Sequence, residues 1–218
     1  MKIFYLFLAS FLLFACTIPS PSTSAPELIL GEQILDETFS QSGGWSLYAT
    51  STVTATVTDG VYRMLLQQPN QYVWGTNNTR YNDTVIEVDV TWQSDNPNAF
   101  AGMVCRLSPD DSRGYYVVVS KSGDFSIRYI GRNVDDALIP WRNSPQIPRQ
   151  STFQMRVVCV DEFIGLYIND NYIDGSRDSR LSRGQLGLAV GMPQTVSGDG
   201  IALVDFDNLR VWDASFDD

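Results

Sequence analysis

Beyond its first few dozen residues, the sequence has no stretch of useful length with the apolar period of an amphipathic helix. Short runs of alternating apolar and polar residues follow one another instead, separated by turn signals. "STVTATVTDGVYRMLLQQ" predicts a hairpin turning at Asp59 and Gly60, a pair suited to a tight two-residue turn. "TVIEVDVTW" and "AFAGMVCRLS" predict the next two strands, and "GYYVVVSKSGDFSIRYIG" a second hairpin turning around Ser122, Gly123 and Asp124. "TFQMRVVCV" and "FIGLYINDNYID" follow, the latter turning at Asn169 and Asp170, before "GQLGLAVG" and "GIALVDFDNLRVW". Many short strands rich in Val, Ile and Tyr at this spacing predict an all-β chain, an antiparallel β-sandwich or barrel in one domain.

The ends and the composition narrow what such a chain can do. Among 218 residues there is no His. That rules out Ser-His-Asp and Cys-His catalysis and most zinc sites. Lys and Arg number 15 against 25 Asp and Glu, a formal net charge of −10. Nucleic acid and anionic lipid surfaces are therefore poor partners. The chain begins "MKIFYLFLASFLLFAC", with Lys2 ahead of an apolar run from Ile3 to Ala15, the pattern of a secretory signal. The stretch "LFAC" at Leu13 to Cys16 resembles the lipobox of bacterial lipoproteins. That resemblance implies cleavage after Ala15 and acyl chains on Cys16, hence a lipid anchor on the extracytoplasmic side of a cell membrane. A plain signal peptide or an uncleaved N-terminal helix is the alternative. "TIPSPSTSAPE" then reads as an extended tether that buries no core. The expected division is a signal over 1–15, the lipidated Cys and tether over 16–34, and a β-sandwich over 35–218. Cys105 and Cys159 remain; outside the cytoplasm they can form a disulfide, and their apolar strand patterns suit two buried thiols equally.

The order "GMVCRL", "GYYVVVSKSGDFSIRYI", "FQMRVVCVDEFIGLYINDNYI", "GQLGLAVG" and "VDFDNLRVW", with the start "LDETFS…W" at Leu35 to Trp45, resembles the concanavalin-like jelly roll. Within that group it looks most like the laminin-G-like and 3-keto-disaccharide hydrolase type domains of secreted bacterial proteins. The resemblance runs from about Leu35 to Asp213. It implies two curved sheets closed by first and last strands lying side by side, and it is a likeness of pattern rather than of catalytic residues.

"VIEVDVTW" at 85–92 tests the catalytic possibility. Alternation puts Ile86, Val88, Val90 and Trp92 on one face and Glu87, Asp89 and Thr91 on the other. The strand nearly matches the Glu-x-Asp-x-Glu of laminarinase-like glycoside hydrolases, in which the first Glu is the nucleophile and the last the general acid/base. Retaining hydrolysis needs two carboxyl groups about 5 to 5.5 Å apart. Here the acid/base position falls on Thr91, or on Trp92 if one residue is inserted, and neither can protonate a leaving oxygen. Glu87 and Asp89 therefore read first as the polar face of a half-buried strand.

Sugar sites in β-sandwiches pair flat aromatic faces with a few polar groups. Candidates outside the core phase are Tyr72, Trp74 and Tyr81, and Trp141 with Arg142 and Asn143 in "LIPWRNSPQIP", which reads as a loop. Trp141 plugging the open end of the sandwich is the alternative. Arg106, Arg128 and Arg156 fall on or near polar phases of strands that could lie beside Glu87 and Asp89. They suggest either a cross-strand charge ladder or the polar floor of a site. Asp36, Asp205 and Asp207 could supply oxygen ligands to a structural Ca²⁺, which such sandwiches often hold; no other cofactor is expected.

The expectation is a membrane-anchored lipoprotein whose jelly-roll domain binds an extracellular glycan or cell-envelope component without catalysis. The rivals are a glycoside or 3-keto-glycoside hydrolase and an adhesion or assembly module that binds a protein partner.

Overall fold

The computed structural model describes residues 25–41, 43–108, 110, 113–149, 152–193 and 200–217; the expected signal and the lipidation site Cys16 lie outside them. Among the described residues there are fifteen strands and no helix. In chain order they are β1 (Leu28–Glu37), β2 (Tyr48–Ala49), β3 (Val53–Thr58), β4 (Val61–Leu66), β5 (Gln71–Tyr81), β6 (Thr84–Trp92), β7 (Phe100–Ser108) and β8 (Arg113–Ser120). They continue with β9 (Asp124–Gly131), β10 (Val134–Asn143), β11 (Thr152–Val160), β12 (Phe163–Ile168), β13 (Asn171–Arg177), β14 (Gly184–Met192) and β15 (Ala202–Phe216).

The strands form two antiparallel sheets. The larger has nine strands in the order β13-β12-β11-β6-β15-β4-β3-β2, with β1 also on β15; the smaller has six in the order β10-β9-β8-β7-β14-β5. The first and last strands pair from Leu28 opposite Phe216 to Glu37 opposite Leu209, as the jelly-roll likeness implies. β1 begins at Leu28, seven residues ahead of the Leu35 boundary read from the sequence. The hairpin turns fall where their residues demand: Asp59 and Gly60 have φ of 54° and 78°, Asn169 and Asp170 of 48° and 63°, and Gly123 of 92°. These are left-handed conformations that Asn, Asp and Gly tolerate best.

The core lies between the sheets and follows the period-two alternation. Ile86, Val88, Val90 and Trp92 of β6 and Met155, Val157 and Cys159 of β11 meet Met103, Cys105, Val117, Val119 and Ile127 of the small sheet. Each such aliphatic side chain contributes about 1.5–3 kcal/mol by leaving water. Through this layer Cys105 on β7 and Cys159 on β11 form a disulfide that joins the two sheets across a separation of 54 residues. Closing a loop of that length stabilises the fold by about 4 kcal/mol in the chain-entropy account.

Arg106 follows Cys105 at a register shift and has a φ of 55°. Its side chain is 1% exposed. The guanidinium donates to the Asp161 carbonyl at 2.6 Å, the Leu181 carbonyl at 2.8 Å and the Asp83 carboxylate at 2.8 Å. A buried cation needs such partners. Arg106 thus ties loops of both sheets at one end of the sandwich.

Candidate functional site

A groove of about 440 Å³ crosses the outer face of the six-stranded sheet. Backbone register explains its shape. Tyr72, Gly191, Phe100 and Ser120 form one row across β5, β14, β7 and β8. Trp74, Ala189, Gly102 and Val118 form the next, and Thr76, Gly187, Val104, Tyr116 and Arg128 the third, which reaches β9. The middle of this face is therefore built of Gly and Ala, and it leaves a trough that large rings from the flanking strands enter. A methyl group at Gly191 would lie 2.1 Å from Cζ of Phe100 and 2.8 Å from Cβ of Tyr72, so that position has room for glycine alone as the rings stand.

Two aromatic groups border the groove. Tyr116 meets Tyr72 with centroids 5.7 Å apart and Trp74 with centroids 6.1 Å apart, both edge to face. On the other side Trp141 places its ring 5.7 Å from that of Phe100, although β10 and β7 are separated in the sheet by β9 and β8. Trp141 remains 44% exposed, a large apolar face open to solvent. The segment that carries it is the edge strand β10 rather than the loop expected from its prolines. Pro140 lacks an N–H, and an edge strand with register shifts between Ala137 and Ile139 and between Ile139 and Arg142 has room for it.

Polar groups lie beside each aromatic pair. The Asp124 carboxylate accepts from the Ser122 hydroxyl at 2.7 Å and from Nδ2 of Asn143 at 3.0 Å. The Ser122 hydroxyl, then the Asn143 amide, holds its pKa below the usual carboxylate range. On β9, Nε of Arg128 donates to the Asp135 carboxylate at 2.7 Å. Burial raises the pKa of the nearby Tyr72 hydroxyl; Asp135 adds to the rise and Arg128 opposes it. Burial likewise raises that of Tyr116. Both phenols stay protonated near neutral pH; the Tyr116 hydroxyl is buried without a hydrogen-bond partner among the described residues, and Tyr72 keeps part of its surface open to the groove.

The sequence candidates divide between places. Tyr72, Trp141 and Arg128 line the groove, Trp74 backs its aromatic wall, and Asn143 fixes Asp124. Arg142 turns the other way and pairs with Asp174 of the large sheet at 3.1 Å. Tyr81 packs against the main core and accepts a hydrogen bond from Asn77. Glu87 and Asp89 lie on the outer face of the nine-stranded sheet, away from the groove. Arg156 donates to Glu87 at 2.5 Å from the neighbouring strand, the cross-strand pair expected, and Nδ2 of Asn208 donates to Asp89 at 2.9 Å. Arg156 is thus a ladder residue, while Arg106 and Arg128 belong to other regions.

The carboxylates of Asp36, Asp205 and Asp207 have separate surroundings. Asp205 accepts two hydrogen bonds from Arg63, at 2.7 and 2.8 Å, and one from Gln93 at 2.7 Å. Asp36 lies opposite Arg210 in the backbone register of β1 and β15, five residues beyond Asp205. Asp207 accepts from the backbone N–H of Asn208 at 2.7 Å. Arg63 and Gln93 thus occupy the Asp205 carboxylate. Among the described residues no group of three or more carboxylate or Cys side chains could hold a metal ion.

Phe100, Tyr116, Ser120 and Asp124 were not singled out from the sequence. A signal was present: "GQLGLAVG" sets Gly187, Ala189 and Gly191 at every second position, a run of small residues on one face of a strand.

No family model and no curated protein sequence matches the chain. Solved structures do. Carbohydrate-binding module CBM66 from Bacillus subtilis superposes with a TM-score of 0.58 at 17% identity, over 79% of this chain and 96% of that one. A Bacillus licheniformis beta-glucanase gives 0.59 at 13% identity, over 84% and 98%. A Bacillus subtilis protein of unknown function with a galectin-like fold gives 0.66 at 9% identity, over 86% and 98%. The fold is the concanavalin-like jelly roll.

Proposed function

We propose that this domain binds carbohydrate in the groove of its six-stranded sheet, does no chemistry on it, and is held outside the cell membrane by a lipid anchor at Cys16. One observation carries the binding role: the exposed Trp141 ring and the half-buried Phe100 and Tyr72 rings border an open groove whose lining also carries the polar side chains of Ser120, Ser122, Asp124 and Arg128. Sugars present apolar C–H faces ringed by hydroxyls, and this alternation of flat rings and polar groups matches them. Support comes also from neighbours in fold whose names include a carbohydrate-binding module and a beta-glucanase.

The proposal of no catalysis rests on where the carboxylates are and what holds them. Glu87 accepts from Arg156 on the opposite outer face. In the groove, Asp124 is held ionised by Ser122 and Asn143, the reverse of the raised pKa that a general acid needs. Asp135 is held by Arg128. The anchor rests on the "LFAC" resemblance alone.

Binding of the full-length protein to a panel of polysaccharides is the test. Trp141→Ala and Tyr72→Ala should each weaken the interaction roughly tenfold or more, about 1.4 kcal/mol or above, with the circular dichroism spectrum unchanged. Silence across the panel, or binding indifferent to both changes, would overturn the binding role. Release of new reducing ends from any member would overturn the non-catalytic part.

A further inference from the structure

The chemistry of the groove's charges goes beyond saying that it takes a sugar. Among the described residues that line it, the ionisable carboxylates and guanidinium are Asp124, Asp135 and Arg128. Arg128 is already committed: its Nε donates to Asp135 at 2.7 Å, and its Nη1 lies 3.3 Å from the Ser126 hydroxyl. Asp124, on the same face, takes its hydrogen bonds from neutral donors, the Ser122 hydroxyl and the Asn143 amide. Arg149 lies near Asp124 outside the lining and offsets part of that charge. The lining thus carries two carboxylates against one guanidinium, in a chain of net charge −10.

We propose that the groove selects uncharged glycans and discriminates against acidic ones; this rests on the carbohydrate-binding role above and names the class of ligand. Recognition of a uronate or a sulfate ester calls for a cation whose N–H fork is open to the anion. Here Asp135 takes Nε of Arg128 and the Ser126 hydroxyl takes Nη1, so an incoming anion is offered only part of the guanidinium and meets two carboxylates beside it. A neutral sugar meets the opposite situation. Its hydroxyls donate to Asp124 and Asp135 in charge-assisted hydrogen bonds, and its C–H faces lie on Trp141, Phe100 or Tyr72. The two carboxylates serve as acceptors for hydroxyls, and Arg128 orients one of them.

The test is calorimetric titration of the full-length protein with two matched sets, neutral oligoglucans, oligomannans and oligofructans against oligogalacturonates and sulfated galactans, at low and at physiological salt. At least one neutral set should bind, and every acidic one should bind at least tenfold more weakly, the gap being larger at low salt. Asp135→Asn, at an exposed position that leaves the core untouched, releases Arg128 and should narrow the gap roughly tenfold at low salt. An acidic oligosaccharide that binds as tightly as the best neutral one would overturn the selectivity and leave the carbohydrate role standing. So would an Asp135→Asn protein with an unchanged gap. Absence of binding by both sets would overturn the selectivity and the role together.

Discussion

The two outer faces of the sandwich have the same construction and opposite outcomes. On the nine-stranded sheet, neighbouring positions carry long polar side chains that satisfy one another: Arg156 with Glu87, Arg63 with Asp205, Asn208 with Asp89 and Thr91 with Thr152. Beside that lattice the same face carries an apolar cluster of Val85, Val158, Val160, Phe163 and Tyr167, packed with Tyr172, Trp212 and Phe216. On the six-stranded sheet the central positions are Gly102, Gly187, Ala189 and Gly191; at Gly191 the missing side chain lets Phe100 and Tyr72 lie down over the sheet, and the groove opens beside those rings. Small residues in the middle of one face let flanking rings recline and a groove form beside them, whereas side chains that pair or pack with one another close the other face.

The largest effect expected reaches both faces at once. The Cys105–Cys159 disulfide links the sheets through the core, so Cys105→Ala with Cys159→Ala should lower unfolding free energy by about 4 kcal/mol. Urea denaturation with and without a reductant measures it. A loss below about 1 kcal/mol would mean that apolar packing alone holds the sheets together.

One change on each face separates their roles. Gly191→Ala forces Phe100 and Tyr72 apart and should cost about 1–3 kcal/mol of stability as overpacking, together with a loss of glycan affinity. Glu87→Gln removes one of the two carboxylate partners of Arg156, Asp170 being the other, and should cost a similar 1–3 kcal/mol or less, with affinity unchanged. Parallel denaturation and titration of the two variants reads both quantities. Equal loss of binding in the two would show that the faces are not independent.

Acidification gives the smallest effect and sharpens the contrast on the groove side. The folded pKa of Asp124 is depressed by the Ser122 hydroxyl and the Asn143 amide. Its contribution is therefore complete above the ordinary Asp value of about 3.9 and is lost as pH falls through the lower folded value. Solvent screening limits that contribution to less than about 1 kcal/mol. Groove affinity and stability should be level from pH 8 to about 5 and decline below about 4, and Asp124→Asn should remove that part of the decline, followed by melting temperature across pH.

Much of the fold was legible because alternation and turn chemistry are local. The hairpins at Asp59–Gly60 and Asn169–Asp170 need only their own residues to adopt left-handed backbone, and the Ile86, Val88, Val90 and Trp92 phase points inward as its period requires. The Arg156–Glu87 pair was legible as one member of a ladder. The site was less so. Trp141, Tyr72 and Trp74 stood out as aromatic residues outside the core phase. Tyr116 is hidden in a run, "GYYVVVS", whose two faces are both apolar, so alternation cannot say which side it takes. Pro140 made a strand resemble a loop, and Arg106 looked like a surface cation although it caps buried carbonyls.

By itself the sequence determined the all-β class, the turns, the inward phase of each clear strand and the absence of histidine chemistry, since each depends on residues close together in the chain. Tertiary structure alone decided that Cys105 meets Cys159, that Glu87 and Asp89 face away from the groove, and that Gly191 lies between Tyr72 and Phe100. Those outcomes follow from strand order. A β-strand's neighbours are chosen by pairing across tens of residues, and no local pattern encodes which distant strand supplies the side chain alongside.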